Sequence, residues 1–242
     1  MGLITIFGIN GVGKDTVANK LRKNNPNITV TSMSRILMYL LGISKTYDTR
    51  EKISENQYKA LENTPQEIIS NIENNQYKKL LEKLSTTDNV IFLAHLISAL
   101  RLGDKTRYLT NKQTPKWFVD INEQMIQLVA PADNISQRRK KDKGRKRNCH
   151  INQILEHQEL CSKEWERIKR MSPDKIKKMH IIENIELDDA VRQVEGIMHE
   201  CNLNNSKNEF IKSLKCDVST PAKTLNNKAH RGTQKDDRLE ER

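Results

Sequence analysis

Short apolar runs alternate with longer amphipathic segments from residue 3 to about residue 202 of the chain. The apolar runs predict five β-strands, at Leu3–Phe7, Ile28–Thr31, Val90–Ala94, Met125–Ala130 and Met179–Glu183. The segments between and after them carry apolar residues at helical spacing and predict helices over residues 13–23, 33–41, 49–62, 65–84, 117–121, 134–141, 152–168 and 187–198. Because alternating strands and helices form parallel sheets covered on both faces, we predict a three-layer α/β/α fold with a five-stranded parallel sheet.

The pattern changes beyond residue 202. Residues 203–242 are rich in Asn, Lys, Ser, Thr, Asp and Arg, and their apolar residues are scattered. Such a segment cannot bury enough apolar surface to offset the entropy that ordering would cost. We therefore expect one domain over residues 1–202 and a disordered tail over residues 203–242, with one transient helix near residues 208–214.

Composition argues against a membrane-spanning or disulfide-stabilised protein. No run approaches the ~20 apolar residues of a transmembrane helix. Met1 leads directly into a strand, without the basic segment of a signal peptide. The four cysteines, Cys149, Cys161, Cys201 and Cys216, show no paired C-x-x-C spacing. The expectation is a reduced, cytoplasmic protein with free thiols.

A glycine-rich segment at residues 8–16, Gly-Ile-Asn-Gly-Val-Gly-Lys-Asp-Thr, lies between the first predicted strand and the first predicted helix. Strand, glycine loop and helix in this order are typical of a phosphate-binding P-loop. The glycines let backbone N–H groups point at one anion, and the helix N-terminus adds positive potential. We predict that ATP binds through Gly8, Asn10, Gly11, Val12, Gly13, Lys14, Asp15 and Thr16. Lys14 is expected to reach the outer phosphates.

A basic block lies between the fourth and fifth predicted strands. Residues 138–147 contain eight Lys or Arg residues and one Asp, a large part of the net charge of +11. Such a block is a solvated helix end, a nucleic-acid-binding patch or a clamp for a phosphorylated substrate. The P-loop favours the clamp. Nucleic acid is a less favoured partner, because no aromatic residue for base stacking lies within the block.

Candidate site residues follow the predicted strands, and the C-terminal ends of parallel strands form one edge at which ligands bind. The P-loop follows the first strand, residues 32–35 follow the second, and His95 follows the third. Asp133 follows the fourth strand and Asn184 the fifth. We therefore expect one site built from separate parts of the sequence.

The order of these pieces resembles the archaeal-type adenylate kinases and their bacterial relatives among the P-loop nucleoside monophosphate kinases, over roughly residues 3–199. The P-loop has the G-x-x-G-x-G-K-x-T form of that group. Five further segments look like parts of that group. Residues 32–37 look like its acceptor site, residues 49–52 like the start of its next helix and residues 138–147 like its lid. Residues 156–158 look like a Glu-His-Gln string of the group, and residues 181–184 like its adenine-binding turn. The resemblance implies a P-loop NTPase-type fold with a lid at about residues 138–150.

The resemblance also implies an ATP-dependent kinase that uses ATP and Mg²⁺. Its catalytic residues would be Lys14, Arg138, Arg145 and Arg147. A small-molecule phosphate acceptor, with a nucleoside monophosphate as the favoured class, would bind to Ser34, Arg35, Arg50 and His95. Asn184 would lie at the adenine of ATP.

One departure from the family concerns the metal. The family has Asp-x-His at the end of the third strand, where the Asp helps to hold magnesium, but this chain has Leu93-Ala94-His95. Asp15 stands where a P-loop normally has Ser or Thr, and the hydroxyl comes one residue later, at Thr16. We predict that Asp15 and Thr16 are the metal ligands.

Three functions remain open from the sequence. The first is a nucleoside monophosphate kinase, and the second is a kinase with another small-molecule acceptor. The third is a nucleotide-dependent regulator or a nucleic-acid-associated ATPase, which would contact phosphates through the basic block and show a steep salt dependence.

Overall fold

The computed structural model of the protein has the alternating element order that the hydrophobic pattern predicts. Its elements are β1 (Leu3–Phe7), α1 (Lys14–Asn24), β2 (Thr29–Ser32), α2 (Met33–Leu40), α3 (Glu55–Glu62), α4 (Gln66–Ile72), a π-helical turn (Glu73–Tyr77), α5 (Lys78–Thr87), β3 (Val90–Ala94), β4 (Ala99–Leu102), β5 (Lys105–Tyr108), α6 (Lys116–Ile121), β6 (Asn122–Val129), α7 (Ala132–Lys141), α8 (Ile151–Met171), a 3-10 turn (Pro173–Lys178), β7 (Met179–Glu183) and α9 (187–201).

The structure describes residues 2–87, 89–97, 99–102, 105–108, 113–142 and 149–201. The predicted tail at residues 203–242 lies outside the described residues, as do Arg145 and Arg147 of the predicted lid. The predictions for those residues therefore stay predictions.

Five parallel strands form the central sheet in the order β2-β3-β1-β6-β7, which confirms the predicted fold class. All of β1 is buried, because it lies between β3 and β6 with helices covering the sheet. Phe7 packs edge to face against Phe118 and Trp165, with ring centroids 6.2 and 5.9 Å apart. Thr5 donates to Asn122 Oδ1 at 2.5 Å, so the one polar side chain of this strand is satisfied.

The strand order places a ligand-binding crevice beside the P-loop. From β1 the chain continues to β2 and β3 on one side, and then to β6 and β7 on the other. The order therefore reverses between β1 and β3, which is where open parallel sheets bind ligands. The register pairs Phe7 with Ala94, so Gly8 and His95 leave the sheet side by side.

The predicted helix over residues 49–62 was wrong in its first part, because α3 begins only at Glu55. Ser54 Oγ accepts from the backbone N–H of Gln57 at 3.3 Å, and Gln57 Oε1 accepts from the backbone N–H of Ser54 at 2.9 Å. This capping box sets the start of the helix. Thr49 lies in the preceding loop, where its Oγ1 accepts from Arg22 at 3.0 Å.

The predicted helix over residues 65–84 is interrupted by the π-helical turn. Such a turn adds a residue to the helical repeat and rotates the face that follows, which the 3.6-residue period does not anticipate. Here it ends at Tyr77, whose ring lies 6.4 Å from that of Phe92.

The antiparallel hairpin of β4 and β5 is absent from the prediction. It pairs Ala99 with Tyr108 and Leu102 with Lys105. Both strands are four residues long and mixed in polarity, so neither resembles a buried strand. The available signal was Gly103-Asp104 between them, a dipeptide typical of two-residue hairpin turns.

Strand β6 begins at Asn122 instead of the predicted Met125. Its register against β1 pairs Leu3 with Asn122 but Ile4 with Gln124, so the strand bulges at Glu123. The bulge breaks the period-two pattern and hides the start of the strand. The remaining described boundaries agree with the prediction within three residues.

Within the described ranges, no helix combines the length and apolar character needed to cross a membrane. Cys149, Cys161 and Cys201 are free thiols, and Cys216 lies outside the described residues.

Candidate active site

The P-loop between β1 and α1 depends on glycine at two positions with left-handed backbone. Gly11 has φ 86° and Gly13 has φ 100°. A Cβ on Gly13 would lie 2.5 Å from Asn184 Nδ2, and one on Gly11 would lie 2.9 Å from Arg139 Cγ. Asn184 and Arg139 therefore pack so closely against the loop that side chains at these two positions would not fit. A glycine loop with left-handed backbone before a helix is also the kind that binds a phosphate through backbone N–H groups.

Lys14 is the first residue of α1 and is almost completely buried, with 7% of its surface exposed. Its Nζ donates to the carbonyl oxygen of Gly8 at 2.5 Å and to that of Ile9 at 3.3 Å. The aliphatic stem is thus enclosed, and the ammonium lies within the loop that precedes the helix. This places a positive charge together with the positive end of the helix dipole.

Arg138 and Asn184 join the P-loop to two other parts of the chain. The carbonyl oxygen of Val12 accepts from Asn184 Nδ2 at 2.6 Å and from Arg138 Nη1 at 3.1 Å. Arg138 Nη2 also donates to the carbonyl oxygens of Asn184 at 2.9 Å and Ile185 at 3.1 Å. The α7 helix and the turn after β7 are therefore bound to the same P-loop carbonyl.

Arg139 binds the P-loop from the same helix. Its Nε and Nη2 donate to the carbonyl oxygen of Asn10 at 2.9 and 2.8 Å, and only 8% of its surface is exposed. The first two arginines of the basic block thus contact P-loop carbonyls, whereas Lys140 and Lys141 are exposed.

A cavity of about 910 Å³ adjoins the P-loop. Asn10, Lys14 and Asp15 contribute the P-loop part of its lining. Residues Ser32–Arg35 from the start of α2 and His95 after β3 contribute further polar groups. Apolar and aromatic residues form much of the remaining wall, among them Leu37, Tyr58, Leu61, Ile69, Tyr77, Phe92, Trp117 and Phe118.

Arg35 is the half-buried cation of the cavity. Its Nη1 is buried and has no hydrogen-bond partner in the part of the chain that the structure describes. Burial lowers the pKa of the guanidinium, while Tyr58, Glu51 and Asp48 oppose that shift. An arginine remains charged even so. A buried N–H left without an acceptor is costly, so this group fits an anionic ligand.

The structure brings together six of the predicted site residues in this cavity: Asn10, Lys14, Asp15, Ser34, Arg35 and His95. His95 is exposed, and Ser34 Oγ lies 3.2 Å from Ser32 Oγ. Gly8, Gly11, Val12 and Gly13 form the P-loop backbone, and Arg138 and Asn184 lie against Val12.

Arg50 does not line the cavity. Its Nη2 donates to the carbonyl oxygens of Pro26 and, at 3.1 Å, Ile28, and its Nε lies 3.6 Å from Asp48 Oδ2. These contacts hold the loop before α3 against the start of β2. The helix start that the resemblance assigned to residues 49–52 is a loop here, which explains the different placement.

Carboxylates that could face a divalent cation come from two elements. Asp15 and Asp142 both line the cavity, whereas Leu93 at the end of β3 adds only an apolar side chain to the lining. Thr16 is exposed and is not part of the cavity lining. Oxygen ligands of this kind are those that magnesium prefers, so the residues present fit the cation.

Several cavity residues were missed by sequence reasoning. Tyr58 and Tyr77 come from α3 and the π-helical turn, whose boundaries were mispredicted. Trp117 belongs to α6 and Asp142 ends α7. None of these residues belongs to a sequence motif. Asp142 lies within a block of Lys and Arg residues, so the sequence drew attention to the cations around it. Only the packing of these elements places them at one cavity.

Comparison with protein families gives a match between residues 7–156 and the family model described as an AAA domain. None of the curated proteins compared with the chain is significantly similar to it in sequence.

Two solved structures are similar in part. One is TT1252 from Thermus thermophilus, at 18% identity and a TM-score of 0.43, covering 82% of this chain and 96% of that chain. The other is a gluconokinase from Sinorhizobium meliloti 1021, at 10% identity and a TM-score of 0.44, covering 86% of this chain and 97% of that chain. At these TM-scores neither structure bears on the substrate of this chain.

Proposed function

We propose that this chain, a P-loop NTPase-type protein that belongs to the AAA domain family, is an ATP-dependent kinase acting on a small-molecule acceptor. Nucleoside monophosphates are the acceptor class that we favour. One observation carries the proposal: the same cavity is lined by the P-loop residues Lys14 and Asp15 and by Arg35, whose buried Nη1 has no hydrogen-bond partner among the described residues. A donor phosphate and an anionic acceptor could therefore share one cavity.

Phosphoryl transfer depends mainly on positioning and on neutralising charge. The P-loop N–H groups would bind the phosphates of ATP, and Lys14 would exchange carbonyl oxygens of its own loop for phosphate oxygens. Magnesium would be held by Asp15, with Asp142 as the second carboxylate of the cavity, and would supply charge neutralisation at the outer phosphates. Arg138 and Arg139 would keep the P-loop carbonyls turned away from the nucleotide, so that the N–H groups face it.

On the acceptor side, Arg35 would bind an anionic group, with Ser34 and His95 as further polar contacts. The aromatic lining favours a flat ring over a fully hydrated sugar. Tyr77 adds a neutral aromatic ring to this wall, and burial together with the charge of Glu73 raises the pKa of its phenol further. An apolar wall also excludes water, which favours transfer to the acceptor over hydrolysis.

Replacement of Arg35 by Met should raise the KM of the acceptor about 100-fold, because a hydrogen-bonded charge contact is lost in a partly buried site. The KM of ATP should stay within about twofold, since the P-loop is unchanged. Steady-state kinetics with each substrate varied in turn measures both values. Arg50→Met is the matched control: it should lower the unfolding temperature without a selective effect on the acceptor. Equal effects of both variants on the acceptor would contradict the role of Arg35.

Replacement of Asp15 by Asn should weaken metal binding about tenfold, because one of few carboxylates near the phosphates loses its charge. Titration of Mn²⁺ into the ATP complex, followed by electron paramagnetic resonance, measures this without turnover. Asp142→Asn tests the second carboxylate in the same way. Asp188→Asn is the control, since Asp188 is exposed and pairs with Lys20. Unchanged Mn²⁺ affinity in Asp15→Asn would show that Asp15 is not a ligand of the metal.

The proposed function is tested by an acceptor screen with ATP and magnesium, covering ribonucleoside and deoxyribonucleoside monophosphates, sugars and other alcohols. ADP formation that requires a nucleoside monophosphate supports the favoured class. Turnover with only a non-nucleotide acceptor would support the kinase activity and contradict the choice of a nucleoside monophosphate as acceptor. ATP hydrolysis that ignores every acceptor but responds to RNA or DNA would overturn the proposal in favour of a nucleic-acid-associated ATPase.

A further inference from the structure

Helix α8 holds both ends of the segment that joins β3 to α6. At the first end, His157 Nε2 lies 2.8 Å from the carbonyl oxygen of Ile97. At the second end, Glu164 Oε1 accepts from the backbone N–H of Thr114 at 2.8 Å, and Arg167 Nη2 donates to the Thr114 carbonyl oxygen at 2.6 Å. Positions 157 and 164 lie two helical turns apart on the same face. The β4–β5 hairpin therefore leaves from and returns to one face of α8.

Glu164 and Arg167 form a bidentate pair. Arg167 Nε donates to Glu164 Oε2 at 2.7 Å, and its Nη2 donates to Oε1 at 2.8 Å. The side chain of Glu164 is 4% exposed and that of Arg167 is 26% exposed. Together they satisfy both backbone groups of Thr114. A buried ion pair adds little net stability compared with apolar packing, whereas a planar guanidinium fork fixes the geometry of what it binds.

The two ends held by α8 are also a wall of the cavity. Residues 95–96 at the first end and residues 113–115 at the second end belong to its lining, and so does Trp117 in the helix that follows. A shift of Thr114 would therefore move Pro115 and Trp117 and change the shape of the cavity.

We propose that Glu164 and Arg167 are positioning residues for the acceptor, acting through Thr114 on the cavity wall at residues 113–117. The described residues 113–117 then help to determine which acceptor fits. Neither charged side chain is part of the cavity lining, so their role is indirect. The acceptor half of this inference rests on the proposed kinase function, whereas the positioning of Thr114 does not.

The test uses the full-length variants Glu164→Gln and Arg167→Lys. Gln removes the charge, and Lys keeps a charge but lacks the fork. Glu166→Gln on the same helix is the control, because Glu166 is exposed and pairs only across the surface with Lys169 at 2.6 Å. Hydrogen exchange at the Thr114 amide is measured without ligand, and the KM values of ATP and of AMP are measured separately.

In Glu164→Gln and Arg167→Lys we expect exchange at Thr114 to be about tenfold faster or more, because the acceptor of its N–H loses either its charge or the guanidinium that positions it. The KM of AMP should rise by a similar factor, while the KM of ATP and both values in Glu166→Gln stay near wild type. Unchanged exchange at Thr114 would overturn the positioning role, and so would a parallel rise of both KM values. If Glu164→Gln fails to fold, Arg167→Lys decides alone.

If the wild-type protein phosphorylates no acceptor, the proposed function fails, but the exchange measurement still decides whether the pair positions Thr114. The protein could also phosphorylate AMP and show faster exchange at Thr114 in the variants with an unchanged KM for AMP. That result would overturn the link between the Glu164–Arg167 pair and the acceptor.

Discussion

Replacement of Lys14 by Met should reduce kcat/KM for ATP by about 10³-fold, which corresponds to about 4 kcal/mol of transition-state stabilisation. Met retains the length of the buried stem, so the loss is that of the ammonium. That charge lies within the P-loop, bonded to the carbonyl oxygens of Gly8 and Ile9, in a place where water screens it poorly. Binding of ATP by isothermal titration calorimetry should weaken in parallel.

The control for this prediction is Lys23→Met. Lys23 lies on the same helix, but it is exposed. It should change neither ATP affinity nor turnover. If Lys14→Met binds ATP as tightly as the wild type does, the assignment of residues 8–16 as a nucleotide-binding P-loop is wrong, and with it the kinase proposal.

Replacement of Gly13 by Ala should lower the free energy of unfolding by about 3 kcal/mol and abolish tight ATP binding. Part of the cost is the left-handed backbone, at φ 100°. The larger part comes from the new Cβ, which would lie 2.5 Å from Asn184 Nδ2 and displace the hydrogen bond from Asn184 to Val12. Urea unfolding measures the stability, and calorimetry measures ATP binding.

Two other glycines separate these causes. Gly42 also has a left-handed backbone, at φ 70°, but nothing lies within 4 Å of its would-be Cβ. Gly42→Ala should therefore cost only about 1 kcal/mol and leave ATP binding intact. Gly196 lies in α9 with open space around it, and Gly196→Ala should stabilise the protein by up to about 1 kcal/mol. A cost for Gly13→Ala no larger than that for Gly42→Ala would contradict the close packing behind the P-loop.

The sheet was predictable because its central strands β1 and β3 are largely apolar. Leu3–Phe7 and Val90–Ala94 are covered on both faces, so hydrophobic runs of the right length mark them without regard to the rest of the chain. The prediction failed where a local feature of the backbone interrupts the regular spacing of apolar residues. A capping box at Ser54 delays α3, a π-helical turn shifts α4 against α5, and a bulge at Glu123 obscures the start of β6.

The residues of the candidate site also fall into a group that the sequence predicts and a group that it does not. The P-loop is local in sequence, so its glycines and Lys14 are recognisable from spacing alone. The side of the cavity proposed for the acceptor is assembled from side chains on α2, α3, the π-helical turn and α6, none of which has a motif. Among the candidate arginines, Arg35 reaches the cavity and Arg50 binds backbone carbonyls instead. Both follow β2, and sequence spacing does not distinguish them.

The sequence by itself determined the layered α/β fold and the phosphate-binding loop, because apolar periodicity and backbone conformation are local properties of the chain. Tertiary structure alone decided which charged side chains contact the P-loop and which lie at or behind the cavity. It placed Arg138 and Arg139 on P-loop carbonyls, Arg35 in the cavity and the Glu164–Arg167 pair on Thr114. Those partners are far apart in sequence, and they meet only because separate elements of the fold pack around the P-loop and the cavity.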